Sequence, residues 1–296
     1  MAETLATFTV PEHHVLMFTA NVQAALARFP GSLEGSVSQG SYSGEKVQVV
    51  NFLGPIAFTK RTTRYQDTEF TEAAHTQRWL QADEFDAAIP VDRLDTLKMI
   101  YDPTSPYVER MREAAGREKD QITMDAFFAA ALTGKKGEST ISFPSADEVL
   151  HGTTGMTTDK LRAARKLLKQ RHVDLRIERP KIAISAEQAD DMLGDAKITN
   201  VDFNTLKPLT DGEPVPFMGF DFLPVEDIIP TRTDSGVIRM CPCWVSSGMH
   251  YGSWDDLSII ISDRPDKRHM KQIFATFTGG ATRLEEGKVI KVEAKE

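Results

Sequence analysis

One segment constrains this chain more than any other: DPTSPYVERMREAAGREKDQITMDAFFAAALTG, from Asp102 to Gly134. Ser105 is placed to act as an N-cap, and Pro106 occupies a first helical position, where a missing N–H does no harm. Glu109 and Glu113 follow near the positive end of the dipole, and Gly134 suits the exit. The pattern predicts one long helix over 106–132. At about 1.5 Å per residue such a rod runs roughly 40 Å. Tyr107, Met111, Ala114 and Ala115 form a thin apolar stripe in its first half; Met124, Phe127, Phe128, Ala131 and Leu132 form a dense one at its end. The end is therefore expected to be deeply buried and the beginning only partly so. Helical apolar spacing of this kind is most often core.

Upstream, residues 19–29 read as a short helix stopped by Pro30 and Gly31. The following SLEGSVSQGSYSGE is rich in Ser and Gly and reads as an extended arm or loop. From Glu45 to Pro90 the pattern changes to strand. KVQVVNFLGPIAFT is β-branched and partly alternating, and HTQRWLQADEFDAAI sets Trp79 and Leu80 among polar residues. The stretch between them, TKRTTRYQDTEFTEAA, is almost wholly polar, so the unit is expected to be a long hairpin with a charged tip. An isolated two-stranded ribbon is marginal in water and needs a surface to lie on. Its own domain and another copy of the chain are both available as that surface.

Downstream, Thr157 or Thr158 caps a helix over 160–171. Leu161, Ala164, Leu167 and Leu168 line one face; Arg162, Arg165, Lys166 and Lys169 line the other. The basic side reads as a solvated face, with phosphate contact as the alternative. Lys181–Ser185 is expected to be a buried strand, AEQADDMLGD a short helix and FMGFDFLPV a further strand, giving a compact α/β unit over 141–253. Leu257–Ile261, IFATFTGGATRL and GKVIKVEA are strand candidates, and these terminal strands are expected to return to the long helix.

Few residues of the chain fall in the patterns that carry chemistry. A chain of 296 residues, 41% hydrophobic, buries a substantial core, and a net charge of -8 argues against gripping nucleic acid over a broad face. The two cysteines, Cys241 and Cys243, flank Pro242 and are expected to be buried in a strand; a structural zinc site needs four ligands. No basic stretch leads into a long apolar run, and none approaches the roughly 20 apolar residues of a membrane span. None of the seven histidines falls in a zinc-protease spacing, and HGTTGMTTDK places Lys160 too far from Gly155 for a phosphate loop. Asp190–Asp191 and Asp255–Asp256 are neighbours in sequence, which does not make their carboxylates converge. No nucleophile elbow and no dinucleotide fingerprint occur. No catalytic, cofactor-binding or metal-ligating residue is assigned.

Seven segments in a fixed order carry a resemblance: GPIAFTKRTTRYQDT from Gly54, DPTSPY from Asp102, HGTTGMTTDKLRAARKLL from His151, ITNVDFNTLKPLTDGE from Ile198, FMGFDF from Phe217, SDRPDK from Ser262 and GGATRLEEGKV from Gly279. From about Thr19 to the C-terminus the chain resembles the major capsid proteins of tailed bacteriophages, which share the Hong-Kong-97-type capsid fold. The resemblance implies an α+β fold. Its parts are an N-terminal arm (1–44), an extended two-stranded loop (45–90), a peripheral domain (91–140 and 254–296) with a spine helix over 106–132, and an axial α/β domain (141–253). So short a stretch before the match implies that no large built-in scaffold precedes it.

The implied function is structural rather than enzymatic. Copies assemble as pentamers and hexamers into an icosahedral head around packaged double-stranded DNA. Scaffolding protein, portal and a cement or decoration protein are the further partners, and no membrane is involved. The implied location is the virion, assembled in the host bacterial cytoplasm. By position, Lys60, Arg61 and Arg64 at the loop tip and Arg264, Asp266 and Lys267 in SDRPDK are the candidate intersubunit contacts. Exposed ion pairs contribute about 0–1 kcal/mol each, so these would set register more than affinity. Two other readings stand beside this one: an encapsulin-like cellular shell, and a cytosolic enzyme whose site the fold alone assembles.

Overall fold

The structure, a computed structural model, describes residues 31–60, 62–64, 67, 70, 72–91, 104–194, 216–234, 236–267 and 269–296. The expected helix at 19–29 and the segment ITNVDFNTLKPLTDGE lie outside the described residues.

The long helix, α1, spans Thr104–Phe128. Its first half is shallow, with Met111 packing into a small cluster of Val91, Ile273 and Ala275. Its second half is deep: Met124 and Phe127 are fully buried in the main core, and the Phe127 ring lies 4.5 Å from that of Trp244. The helix ends before the expected Leu132. Arg283 collects the carbonyls of Phe127 and Ala129, and the chain then turns into strand β5 (Ala131–Thr133) instead of another helical turn. Gly134 serves a different exit, adopting φ +91 in the turn from β5 to β6 (Ser139–Ile141).

Among the described residues the strands form three sheets, and α1 packs on the first of them. The first has the order β1 (Ser38–Ser41), β12 (Met249–Arg264), β13 (Met270–Arg283), β4 (Asp83–Val91). Runs such as Ile259–Ile261 and Ile273–Thr278 supply the β-branched and aromatic residues that suit these long strands. Along β13, Ile273, Ala275 and Phe277 alternate inward, and Lys119 of α1 sits with its ammonium 5.7 Å from the Phe277 ring centroid.

The second sheet has the order β7 (Glu148–Val149), β14 (Val289–Lys295), β11 (Val237–Trp244), β8 (Lys181–Ile184), β9 (Asp221–Pro224), with β10 (Thr231–Thr233) beside β11. Helices α2 (Thr158–Gln170) and α3 (Ala186–Gly194) pack on it through Leu161, Ala164, Leu168 and Met192. Sequence reading placed the whole of 254–296 beside the long helix. β14 lies in this second sheet instead, because its Val289, Ile290, Val292 and Ala294 complete the Trp244 core and its backbone pairs with β11.

The third sheet, β2 (Lys46–Leu53), β3 (His75–Gln81), β5, β6, joins the hairpin to the turn after α1. The run 75–89 was expected as a single strand; it divides at Ala82, β3 pairing with β2 and β5 while β4 pairs with β13. Residues 31–41, most of them in the segment expected as an extended arm or loop, are docked on the chain itself. Leu33 and Val37 enter the main core, Ser36 accepts the Trp244 indole N–H at 3.0 Å, and β1 runs parallel to β12.

Candidate assembly surfaces

The β2–β3 ribbon is held firmly at its base. Arg78 is buried, donates from Nε to the Leu284 carbonyl at 2.9 Å, and forms an ion pair with Glu286. The Trp79 indole donates to the Gly134 carbonyl at 2.7 Å. A β-bulge at Gln48–Val50 and the final bond from Gly54 N–H to the Ala74 carbonyl, 2.7 Å, close the ladder. Beyond that point the side chains lose the body of the protein. Phe58 is 101% exposed and Phe70 is 94% exposed, with Leu53 and Ile56 also open to solvent.

Of the charged residues expected here, Lys60 and Arg64 are exposed on the same excursion, and Arg61 lies outside the described residues. The two bare rings were missed by sequence reading. Phe70 stands among polar neighbours, and Phe58 lies at the end of the run KVQVVNFLGPIAFT, which reads as strand.

The second projection is the far end of β12–β13. There the Arg264 guanidinium grips Asp266 with two bonds of 2.9 and 2.8 Å, and its remaining nitrogen donates to Gln272 at 2.9 Å. This contact holds the Asp266 carboxyl down to about 2. These two residues, expected to reach for another subunit, therefore already pair with each other across the turn Pro265–Lys267. Lys267 is exposed beside them, and Ile260 and Ile261 are half exposed on the preceding strand.

On α2 the basic residues border a shallow depression of about 430 Å³. Arg162 pairs with Asp159 at 3.0 Å, and Arg165 donates to the Met218 carbonyl. Lys160 turns the other way. It is buried and donates to the carbonyls of Thr154 and Gly155, both at 2.6 Å, and burial pulls its ammonium down to about 8 against the opposing pull of Asp191. HGTTGMTTDK is thus a turn closed by its own lysine. Gly155 is required in it, since a Cβ would lie 1.9 Å from the Asp191 carboxylate that accepts the Met156 N–H.

Cys241 and Cys243 are buried and unpaired in β11, and burial pushes the Cys241 thiol up to about 12. Among the described residues no three His, Cys, Asp or Glu side chains gather as metal ligands. No helix among them is long and apolar enough to cross a membrane.

A long helix laid on a four-stranded sheet, an adjoining α/β unit and a projecting ribbon make up the described part of the chain. The chain belongs to the phage capsid protein family, whose model matches residues 10–296. Solved capsids share its fold at low sequence identity. The capsid of cyanophage P-SCSP1u matches with a TM-score of 0.70 at 13% identity, covering 96% of this chain and 94% of that one. The cyanophage Pam1 capsid matches with a TM-score of 0.72 at 10% identity, covering 98% and 99%. The capsid of the native GTA particle matches with a TM-score of 0.68 at 13% identity over the full length of both chains. No curated protein matches by sequence.

Proposed function

We propose that this chain is the major capsid protein of a tailed bacteriophage, assembling as pentamers and hexamers into an icosahedral head that encloses double-stranded DNA. Family membership supports the capsid role. The observation that carries self-assembly is the ribbon: Phe58 and Phe70 have no cover on their own body. Burying such a ring against another copy gains about 1.5–3 kcal/mol before ordering costs. A closed shell is best built from many contacts of that size, which allow misplaced subunits to leave before the shell locks.

In this reading the β2–β3 excursion is the extended loop that lies on a neighbour, α1 is the spine, and the unit around the second sheet faces the symmetry axis. Lys60, Arg61 and Arg64 set the register of the loop on the neighbour, and Lys267, beside the internal Arg264–Asp266 pair, contributes at the second projection. The role is structural and without catalysis. Scaffolding protein, portal, a cement or decoration protein and packaged DNA are the further partners, and assembly takes place in the host bacterial cytoplasm. Electron microscopy of the expressed chain, with and without a co-expressed scaffolding protein, tests this. Closed shells are expected; dispersed subunits under every condition would overturn it.

A further inference from the structure

We infer that the outward face of α2 is a contact surface for the phosphate backbone of duplex DNA; as the place where the packaged genome is met, it rests on the shell reading. Leu161, Ala164 and Leu168 are buried against the second sheet, which sets Arg162, Lys166 and Lys169 on the exposed side at successive turns, with Arg165 half-buried beside them. Among the described residues, these four cations and Gln170 line the depression of about 430 Å³. Arg162 pairs with Asp159 at 3.0 Å; Arg165, Lys166 and Lys169 have no carboxylate partner among the described residues. Arg165 is fixed in another way. Its Nη1 donates to the Met218 carbonyl, in a turn where Met218 takes φ +52 and Gly219 φ +81. Left-handed backbone is strained at methionine, and here it presents a carbonyl to the guanidinium. A carbonyl holds that group in place without neutralising it, so the charge remains available.

A solvated helix face in this chain interleaves the two signs. On α1, Glu113 lies between Arg110 at 2.6 Å and Arg117 at 3.8 Å. The face of α2 presents one sign, on a chain whose net charge is -8, so it is a local reversal of the whole. The lining also selects the partner. It offers no large apolar side chain, so an amphipathic protein segment would find nothing against which to bury its apolar side. A phosphate chain needs only the cations, and an extended one engages several of them together. The lysines and arginines carry no arrangement that reads base edges, so the contact is independent of sequence. Each copy supplies a few charges, and such a contact is weak and exchanges readily. Many copies side by side hold the duplex while leaving it free to slide.

The test is fluorescence anisotropy of the full chain, as unassembled subunits, with a short labelled DNA duplex of mixed sequence across a salt series. The logarithm of affinity is expected to fall against the logarithm of salt with a slope of about -3. Lys166→Gln with Lys169→Gln, both at exposed positions, is expected to make the slope shallower by about 2 and to weaken binding about tenfold at low salt. Lys166→Arg with Lys169→Arg should bind as the parent does. Lys135→Gln with Lys136→Gln removes the same charge from the exposed turn between β5 and β6 and should leave binding unaltered. Absence of saturable duplex binding, equal loss in the two glutamine variants, or tighter binding of poly-glutamate than of the duplex would overturn the proposal. Because the measurement needs no assembly, it is separable from the shell reading: loss confined to the α2 variant supports the contact even where no shells form, and shells whose subunits show no such loss refute the contact alone.

Discussion

Arg283, near the end of β13, donates from Nη1 to the carbonyl oxygen of Phe127 at 2.7 Å. The same nitrogen reaches Ala129 at 3.0 Å, and Nη2 reaches Ile141 at 3.4 Å. A helix leaves its last carbonyls without partners, and its negative end favours a cation, so a buried guanidinium is well matched to this place. Arg283→Met would keep much of the apolar stem but lose the guanidinium over the Phe143 ring and leave these carbonyls buried and unpaired. It is expected to cost about 2–4 kcal/mol. A fall in the urea midpoint of unassembled subunits checks this.

Asp120 ties the N-terminal segment to the helix, accepting from Ser32 and Leu33 with separate oxygens. Asp120→Asn keeps the size but turns one acceptor into a donor facing an N–H. The expected loss is about 1.5–3 kcal/mol, felt first as local opening of residues 31–41. Hydrogen exchange is the readout: the amides of β1 should lose protection while those of β11 and β14 keep theirs.

His250 makes the same junction sensitive to pH. Its Nδ1 lies 2.8 Å from Ser38 Oγ and its Nε2 lies 2.8 Å from the Tyr42 hydroxyl. Ser38 donates its own proton to the Met249 carbonyl at 2.6 Å, so it accepts from Nδ1–H, and Tyr42 donates to Nε2. The neutral ring is fully satisfied, and burial pulls its pKa below the ordinary 6.5. The unfolded chain then binds the proton more readily. Stability from this residue is complete above the unfolded value and is lost as pH falls through the folded one, with a slope of at most about 1.4 kcal/mol per pH unit. Urea midpoints measured from pH 7.5 to 5 should fall more steeply for the parent chain than for His250→Gln.

These contacts also mark where the sequence could be read and where it could not. Helix α1 was legible from Met111, Met124 and Phe127, because period is local, although it begins at Thr104, ahead of Ser105, the expected cap. Its end was not: Ala131 and Leu132 continue the apolar pattern, and only Arg283, about 150 residues later, stops the helix. GKVIKVEA was readable as a strand, but the sheet it joins depends on β11, which no periodicity reports. The break at Ala82 was hidden because β3 and β4 have the same residue character and differ only in their partners. Arg264 and Asp266 were legible as charged residues, whereas their pairing with each other across the turn depends on the local backbone, which residue type alone does not report. Phe70 is concealed by the polar residues around it, and Phe58 lies at the end of a run that reads as strand, where exposure is not a local property.

The charged tips should matter less than those rings. Lys60→Ala is expected to leave subunit stability within about 0.5 kcal/mol and to shift assembly mainly through its salt dependence. Light scattering of assembly at low and high salt should show the parent and the variant converging as salt rises.

The central claim is that the ribbon is finished by another copy, and Phe58→Ser with Phe70→Ser addresses it most directly. Both rings are solvent-exposed in the single chain, so the double variant should unfold at the same urea concentration as the parent. Sedimentation velocity of the two proteins under one assembly condition is then the decisive measurement. The account predicts shells from the parent and slowly sedimenting subunits from the variant. Shells formed equally well by both would contradict it.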